Sequence, residues 1–219
     1  MKKVGVMIPT FQRPDFARMA VLQWIVQTRK PDIICVHQNG ESESYEWVIE
    51  DLKPLVNIKW IHIPKNISQH LWYAVPLSFL IQEKCDVFLW ADHDDIYYTD
   101  HVEKSLSGLS DSDITLSDTC SVLYLTDKQY KYQAPEKFRA HAPGGMSSSM
   151  AFNKDFATQL LADLLQDVEY YYSDNVVAHK TMPRNKVNIT SNVTTTYVSH
   201  KGAHSSGHWA EETLKKESA

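Results

Sequence analysis

An apolar run, Phe88-Leu89-Trp90-Ala91, ends abruptly in Asp92-His93-Asp94-Asp95. Carboxylates set this closely repel one another, and each loses hydration if the run before it is a buried strand. A positive partner is required. A hard divalent cation answers directly, because carboxylate oxygens are the preferred ligands of Mg2+ and Mn2+, and one or two suffice where substrate phosphates and water complete the shell. Asp92 and Asp94 have the spacing that brings two side chains to one ion from a strand exit. The plainer alternative is a solvated acidic turn, and in either case Asp95 is expected to cap the turn into the following helix. The chain has seven glycines, none arranged as G-x-G-x-x-G or as a phosphate loop, so a Gly-rich cradle for phosphates is missing and a metal would take that part.

The elements that position this cluster follow from the pattern around it. Lys3 to Ile8, Asp32 to Gln38, Val56 to Ile63 and Asp86 to Ala91 read as strands, alternating with helical patterns that start at Pro14, near residue 42 and near residue 67. Pro76 should kink or restart the third of these helices. Strands alternating with helices make crossover units and a parallel sheet, whose ligands bind beyond the carboxyl ends of the strands. The exit "PTFQRP", Asn39-Gly40, Asn66 and the acidic cluster should therefore share one rim. Beyond residue 110 come short strands, a Gly144-Gly145 turn before a strand of small residues, helices near 153–166 and 174–182, and a last strand running into a His-rich loop.

A length of 219 residues suits one large domain and is short for two. The formal net charge of −5 argues against a broad nucleic-acid surface, which needs concentrated Lys and Arg. Cys35, Cys85 and Cys120 are odd in number and widely spaced, as expected of buried free thiols in a reducing, cytoplasmic setting. Proline and polar residues interrupt the N-terminus before a signal-peptide core can form, and no stretch approaches the ~20 apolar residues of a transmembrane segment.

The segments "VGVMIPTFQRP", "ICVHQNGESE", "IPKNIS" and "VFLWADHDDIYYTDHVEKSL", followed by "APGGMSSSMAFNKDFA", "YYSDNVVAHK" and "TTYVSHKGAHSSG", resemble in order and spacing the family 2 glycosyltransferases, over roughly residues 3 to 207. The resemblance implies an α/β fold: a single Rossmann-like GT-A domain, with a mostly parallel central sheet flanked by helices and a small antiparallel C-terminal part. Residues 1–110 would bind the nucleotide-sugar, 111–208 would hold the acceptor and the catalytic groups, and 209–219 would be a tail. It implies a nucleotide-diphospho-sugar donor, UDP-sugar by preference, a glycan, glycoprotein or lipid-linked sugar acceptor, and Mn2+ or Mg2+ as cofactor. Pro9, Thr10, Arg13, Asn39, Asn66, Asp92 and His93 carry over as donor contacts, and Asp94, Asp92 and His200 as metal ligands. Asp174 carries over as the general base of an inverting displacement, with Glu169 in reserve. A carboxylate at a helix start is held ionised and ready for a proton; an ordinary N-cap is the competing role.

The sequence departs from the family pattern in two places. The turn after the second strand, where an acidic residue normally meets the base, reads His37-Gln38-Asn39-Gly40, and Ser68 stands where a glycine is usual, with His70 or Trp72 replacing the basic residues beyond. His200, His204 and His208 recur every four residues, but Gly202 and Gly207 argue for a loop, which either adds a ligand or binds nothing. Tyr170, Tyr171 and Tyr172 suit a sugar platform or plain core. Two other functions stay open on the residues alone: a non-catalytic sugar-nucleotide or glycan-binding domain, and a metal-dependent phosphoesterase built on Asp92, Asp94 and the C-terminal histidines.

Overall fold

Every residue from Val4 to Thr10 is buried. A strand with both faces covered needs layers above and below it, and parallel crossover units supply them. In the computed structural model of the chain, which describes residues 1–125, 130–137, 147–166 and 173–200, this run is an inner strand, β1 (Val4–Thr10). Helix α1 (Pro14–Ile25) follows, with proline in its first turn where the missing N–H costs nothing. Strands β2 (Ile33–Asn39), β3 (Ile58–Ile63) and β4 (Val87–Trp90) run parallel to β1, and helix α2 (Ala74–Gln82) leads into β4.

The second half adds β5 (Ile96–Tyr97), α3 (His101–Gly108), β6 (Ile114–Ser117), β7 (Thr119–Leu125), β8 (Tyr130–Lys137) and β9 (Ala151–Asn153). Then come α4 (Lys154–Gln166), α5 (Ser173–Val176), which continues as a π turn over Val177–Thr181, and finally β10 (Val187–Thr190) and β11 (Thr195–His200). The large sheet has the order β10-β6-β9-β4-β1-β2-β3, and β9 runs antiparallel to both of its neighbours. A smaller sheet has the order β5-β11-β7-β8, with two antiparallel pairings and one parallel. The fold is thus α/β, with a mostly parallel central sheet flanked by helices beside a small, mainly antiparallel one.

The period of two along each strand divides the core. Val4, Val6, Ile8, Ile34, Val36 and Leu89 pack with Trp24 of α1 on one face. Met7, Ile33, Cys35, Phe88 and Trp90 pack with α2 and α4 on the other. Gly5 permits the close approach of α2, since a Cβ there would lie 2.9 Å from both Leu80 methyls. Cys35, Cys85 and Cys120 are buried and free. Among the described residues no helix is long and apolar enough to cross a membrane.

Local geometry departs from the sequence expectation at two points, the segment near 42–53 and Asp95, and meets it at Pro76. The helix expected near residues 42 to 53 is a 3-10 run, Glu46–Leu52. Over 67–83 the helix restarts, as expected of Pro76: a single turn, Gln69–Leu71, is followed by α2 with Pro76 in its first turn, where no intrahelical N–H bond is lost. Asp95 does not cap a helix: its Oδ1 accepts the Val198 amide at 2.9 Å, tying the exit of β4 to β11. A buried carboxyl takes an amide that the short β5 leaves unpaired more readily than it reaches the start of α3.

His101, which opens α3, is fully buried against the rings of Trp24 and Tyr97, edge-on at 5.5 and 5.3 Å. Burial pushes its imidazole down to about 4. The unfolded chain, with an imidazole near 6.5, then binds a proton that the folded chain excludes. His101 therefore costs stability as pH falls from about 6.5 to about 4, by on the order of 3 kcal/mol at the acid end. Buried carboxyls with raised proton affinity act in the opposite sense over that window, so the difference from a variant isolates the imidazole. Urea denaturation of wild type and His101→Phe at about pH 7.5 and about pH 4.5 should show the wild type losing ground to the variant in acid.

Candidate active site

In the order β3-β2-β1-β4 the direction of strand addition reverses between β1 and β4. The crevice at the carboxyl ends of two such strands is where open α/β sheets take ligands. Two charged residues meet there. Beyond β1, Gln12 turns the chain through φ 53°, a left-handed value uncommon outside glycine, and its amide is held by Glu41 Oε2 at 3.1 Å. Arg13 then heads α1 facing the exit of β4, and its Nη1 donates to Asp94 Oδ2 at 2.7 Å.

His93 and His200 complete the contact. Arginine can only donate, so His93 Nε2, 3.2 Å from Arg13 Nη1, accepts, and the proton sits on Nδ1, which donates to the Pro9 carbonyl at 3.1 Å. Burial favours that neutral form and lowers the proton affinity of His93. His200, at the end of β11, donates from Nε2 to Asp94 Oδ2 at 3.0 Å. The Phe16 ring stacks on His200, with centroids 5.2 Å apart and an angle of 15° between the planes. Burial alone would raise the Asp94 carboxyl, but the hydrogen bond from His200 and the charge of Arg13 hold it well below the usual range. Asp94 is an anion at neutral pH.

Asp92 is treated differently. The Tyr73 hydroxyl donates to its Oδ1 at 2.5 Å, and its own amide donates to Tyr97 Oη at 2.7 Å. Burial pushes this carboxyl up to about 7; the Tyr73 hydrogen bond opposes the shift, and the charges of Asp94 and Asp174 add to it. Asp174, half-buried in the first turn of α5, is therefore within electrostatic reach of the acidic exit. Its Oδ1 accepts the Asn175 amide at 2.9 Å. Asp95, buried deepest, is pushed well above the usual range by burial and by its two acidic neighbours.

The remaining candidates lie along the same rim. Asn39 is fully buried: its Nδ2 donates to Asn66 Oδ1 at 2.7 Å, and its Oδ1 accepts the Ile67 amide at 3.1 Å. The pair pins the loop after β3 to the end of β2. Gly40, at φ 77°, leaves space that a Cβ would take from Asn66 and Phe11, each 3.1 Å away. Thr10 is buried at the end of β1, with its hydroxyl 3.0 Å from Tyr45 Oη. Arg13, His93, Asp94 and His200 are thus in direct contact, Pro9 joins them through its carbonyl, Asp92 and Asp174 stand alongside, and Asn39 and Asn66 form a separate pair. Glu169, Tyr170 to Tyr172, His204, His208 and the Gly144-Gly145 turn lie outside the described residues.

Sequence reasoning missed Tyr73, Tyr97 and Phe16. Phe16 was legible in principle, being one helical turn from Arg13. Tyr73 gives no local signal, because its contact with Asp92 depends on where α2 packs. Phe11, whose ring lies 6.0 Å from that of Trp72, adds an aromatic pair beside Asn66.

The donor set suits a hard or borderline divalent cation: Asp94 is ionised and largely but not wholly buried, Asp92 and the His200 imidazole are close, and the carboxylates supply oxygen ligands. Among the described residues no three such side chains already form a metal-holding group. A shell shared with phosphate oxygens and water is the arrangement that fits.

No family model matches the sequence, and no curated protein sequence does. Solved structures do match. S. aureus TarS 1-349 in complex with UDP-GlcNAc aligns with a TM-score of 0.64 at 15% identity, over 92% of this chain and 60% of that one. The mannosyltransferase PcManGT from Pyrobaculum calidifontis, in complex with GDP-Man and Mn2+, aligns with a TM-score of 0.64 at 10% identity, over 95% and 59%. The 4-diphosphocytidyl-2C-methyl-D-erythritol synthase from Anaerococcus prevotii aligns with a TM-score of 0.57 at 12% identity, over 98% and 96%. The chain spans about 60% of the length of the first two. With the strand order and the reversal between β1 and β4, these alignments establish that the chain has the GT-A fold of nucleotide-sugar transferases.

Proposed function

We propose that the chain is a divalent-cation-dependent glycosyltransferase of the family 2 type, acting as one GT-A domain. It moves a sugar from a nucleoside-diphosphate donor, UDP-sugar first, to a hydroxyl of a glycan, glycoprotein or lipid-linked sugar, with inversion. The meeting of Arg13, His93, Asp94 and His200 at the crevice between β1 and β4 carries this reading, with Asp92 and Asp174 alongside. Two structures of the same fold support it, one holding UDP-GlcNAc and the other GDP-Man with Mn2+.

The residues divide the work as follows. Asp94 and His200 hold the cation, and Asp92 binds its water shell or the donor ribose. Bound there, a divalent cation supplies Lewis-acid stabilisation of the departing diphosphate. Arg13 offers the diphosphate a planar fork of donors. Phe11 and Trp72 give the base an aromatic flank, beside the Asn39–Asn66 pair. Asp174 accepts the proton of the acceptor hydroxyl as its oxygen attacks the anomeric carbon. The bond from that carbon to the diphosphate breaks, its electron pair leaves on the diphosphate oxygen, and single displacement inverts the centre.

The near full-length alignment with the diphosphocytidyl-methylerythritol synthase favours a second reading, nucleotidyl transfer. The lack of a Gly-rich phosphate loop weighs against it. Release of diphosphate from CTP or UTP with a sugar phosphate would support the second reading over the first.

Thermal unfolding with UDP, GDP, CDP and dTDP, each with and without Mn2+, should show one nucleotide raising the Tm by about 5 °C or more at about 100-fold over its Kd, with Mn2+ present and not without it. Asp94→Ala should abolish that joint shift. Asp174→Asn should keep the shift and lower transfer by about 10²- to 10⁴-fold in single-turnover assays; unchanged transfer would remove Asp174 as the base.

A further inference from the structure

Asp94 Oδ2 accepts two hydrogen bonds, from Arg13 Nη1 at 2.7 Å and from His200 Nε2 at 3.0 Å, which accounts for both in-plane lone pairs of that oxygen. This is not a loose surface pair, since the side chains of Arg13, Asp94 and His200 are 18%, 16% and 12% exposed. Arg13 is fixed further by His93 Nε2, itself anchored on the Pro9 carbonyl. The guanidinium carbon also lies 5.8 Å from the centre of the Phe16 ring, and that ring stacks on His200. A guanidinium and a divalent cation are alternatives at one carboxylate oxygen, because both need its lone pairs and both neutralise its charge.

We propose that Arg13 is the resident counter-ion of Asp94, which a divalent cation must displace from Oδ2, so that Arg13 sets how tightly the cation binds and ties that binding to the arrival of a diphosphate. The tie follows from what displacement leaves behind. A half-buried guanidinium stripped of its carboxylate is costly. A diphosphate removes that cost, since its oxygens match the guanidinium fork in charge and geometry. The cation alone therefore binds weakly, and cation with nucleotide binds well, even before their direct contact is counted. This inference rests on the nucleotide-sugar reading and names the residue that regulates its site.

The test is the affinity of the full chain for Mn2+, followed by electron paramagnetic resonance of the free ion, alone and with UDP or GDP. Wild type, Arg13→Gln and Arg13→Lys are compared, with circular dichroism to verify folding. Arg13→Gln should bind Mn2+ alone about tenfold tighter than wild type, and the factor by which the nucleotide tightens Mn2+ binding should shrink to a similar degree. Arg13→Lys keeps the charge on a single-point donor and should fall between the two. If Arg13→Gln does not fold, the lysine variant decides by the same criteria. Equal or weaker Mn2+ binding by the variants overturns the proposal. So does tighter binding with an undiminished nucleotide factor, which would report no more than a positive charge removed nearby. Failure of the nucleotide-sugar reading looks different: neither nucleotide changes Mn2+ binding in wild type, which overturns the tie to diphosphate, while the affinities for Mn2+ alone still decide whether Arg13 competes.

Discussion

The site depends on the neutralisation of one carboxylate. Asp94 sits where the sheet changes its direction of growth, hemmed in by protein, and it stays charged because Arg13 and His200 converge on a single oxygen. The three residues come from three parts of the fold: Arg13 from the head of α1, Asp94 from the exit of β4 and His200 from the end of β11. Phe16 stacks on His200 and lies under Arg13, so the apolar packing of α1 and the polar contacts reinforce each other. The large sheet and the small sheet are joined at the point where chemistry is expected.

Three neighbouring aspartates show how far environment outweighs identity. Asp94, beside a guanidinium and an imidazole, is held ionised. Asp92, facing a tyrosine hydroxyl and two other carboxylates, is poised near neutrality. Asp95, buried and bonded to a strand amide, is driven toward its neutral form and serves as a clip between sheets. Burial is the same force in each case, and what differs is whether a cation, a hydroxyl or an amide stands opposite.

Much of the fold was legible because it is written in local periodicity. The runs at 4–8, 33–36 and 87–90 are apolar on both faces, as expected of strands covered by layers on either side. Their common rim follows from the rule for parallel sheets, and Pro9, Arg13 and Asp94 meet at these strand exits. The pairing of Arg13 with Asp94 was not legible, nor were the roles of Tyr73, Tyr97 and Asp95, because each joins residues far apart in the chain or depends on how a helix packs. The acidic exit was expected to need a cation from outside, and the chain carries a guanidinium of its own for it. The 3-10 run at Glu46–Leu52 was misjudged for another reason: apolar spacing marks a buried helical face without distinguishing three residues per turn from 3.6.

β11 has a bearing on biogenesis. Val198 and His200 lie 103 and 106 positions downstream of the aspartates they hold. A ribosome releases the exit of β4 long before it releases them, and closing so long a loop carries an entropic toll. Until β11 emerges, the nascent chain thus has Arg13 without His200 to balance Asp94, and the crevice between β1 and β4 matures only once that strand is in place.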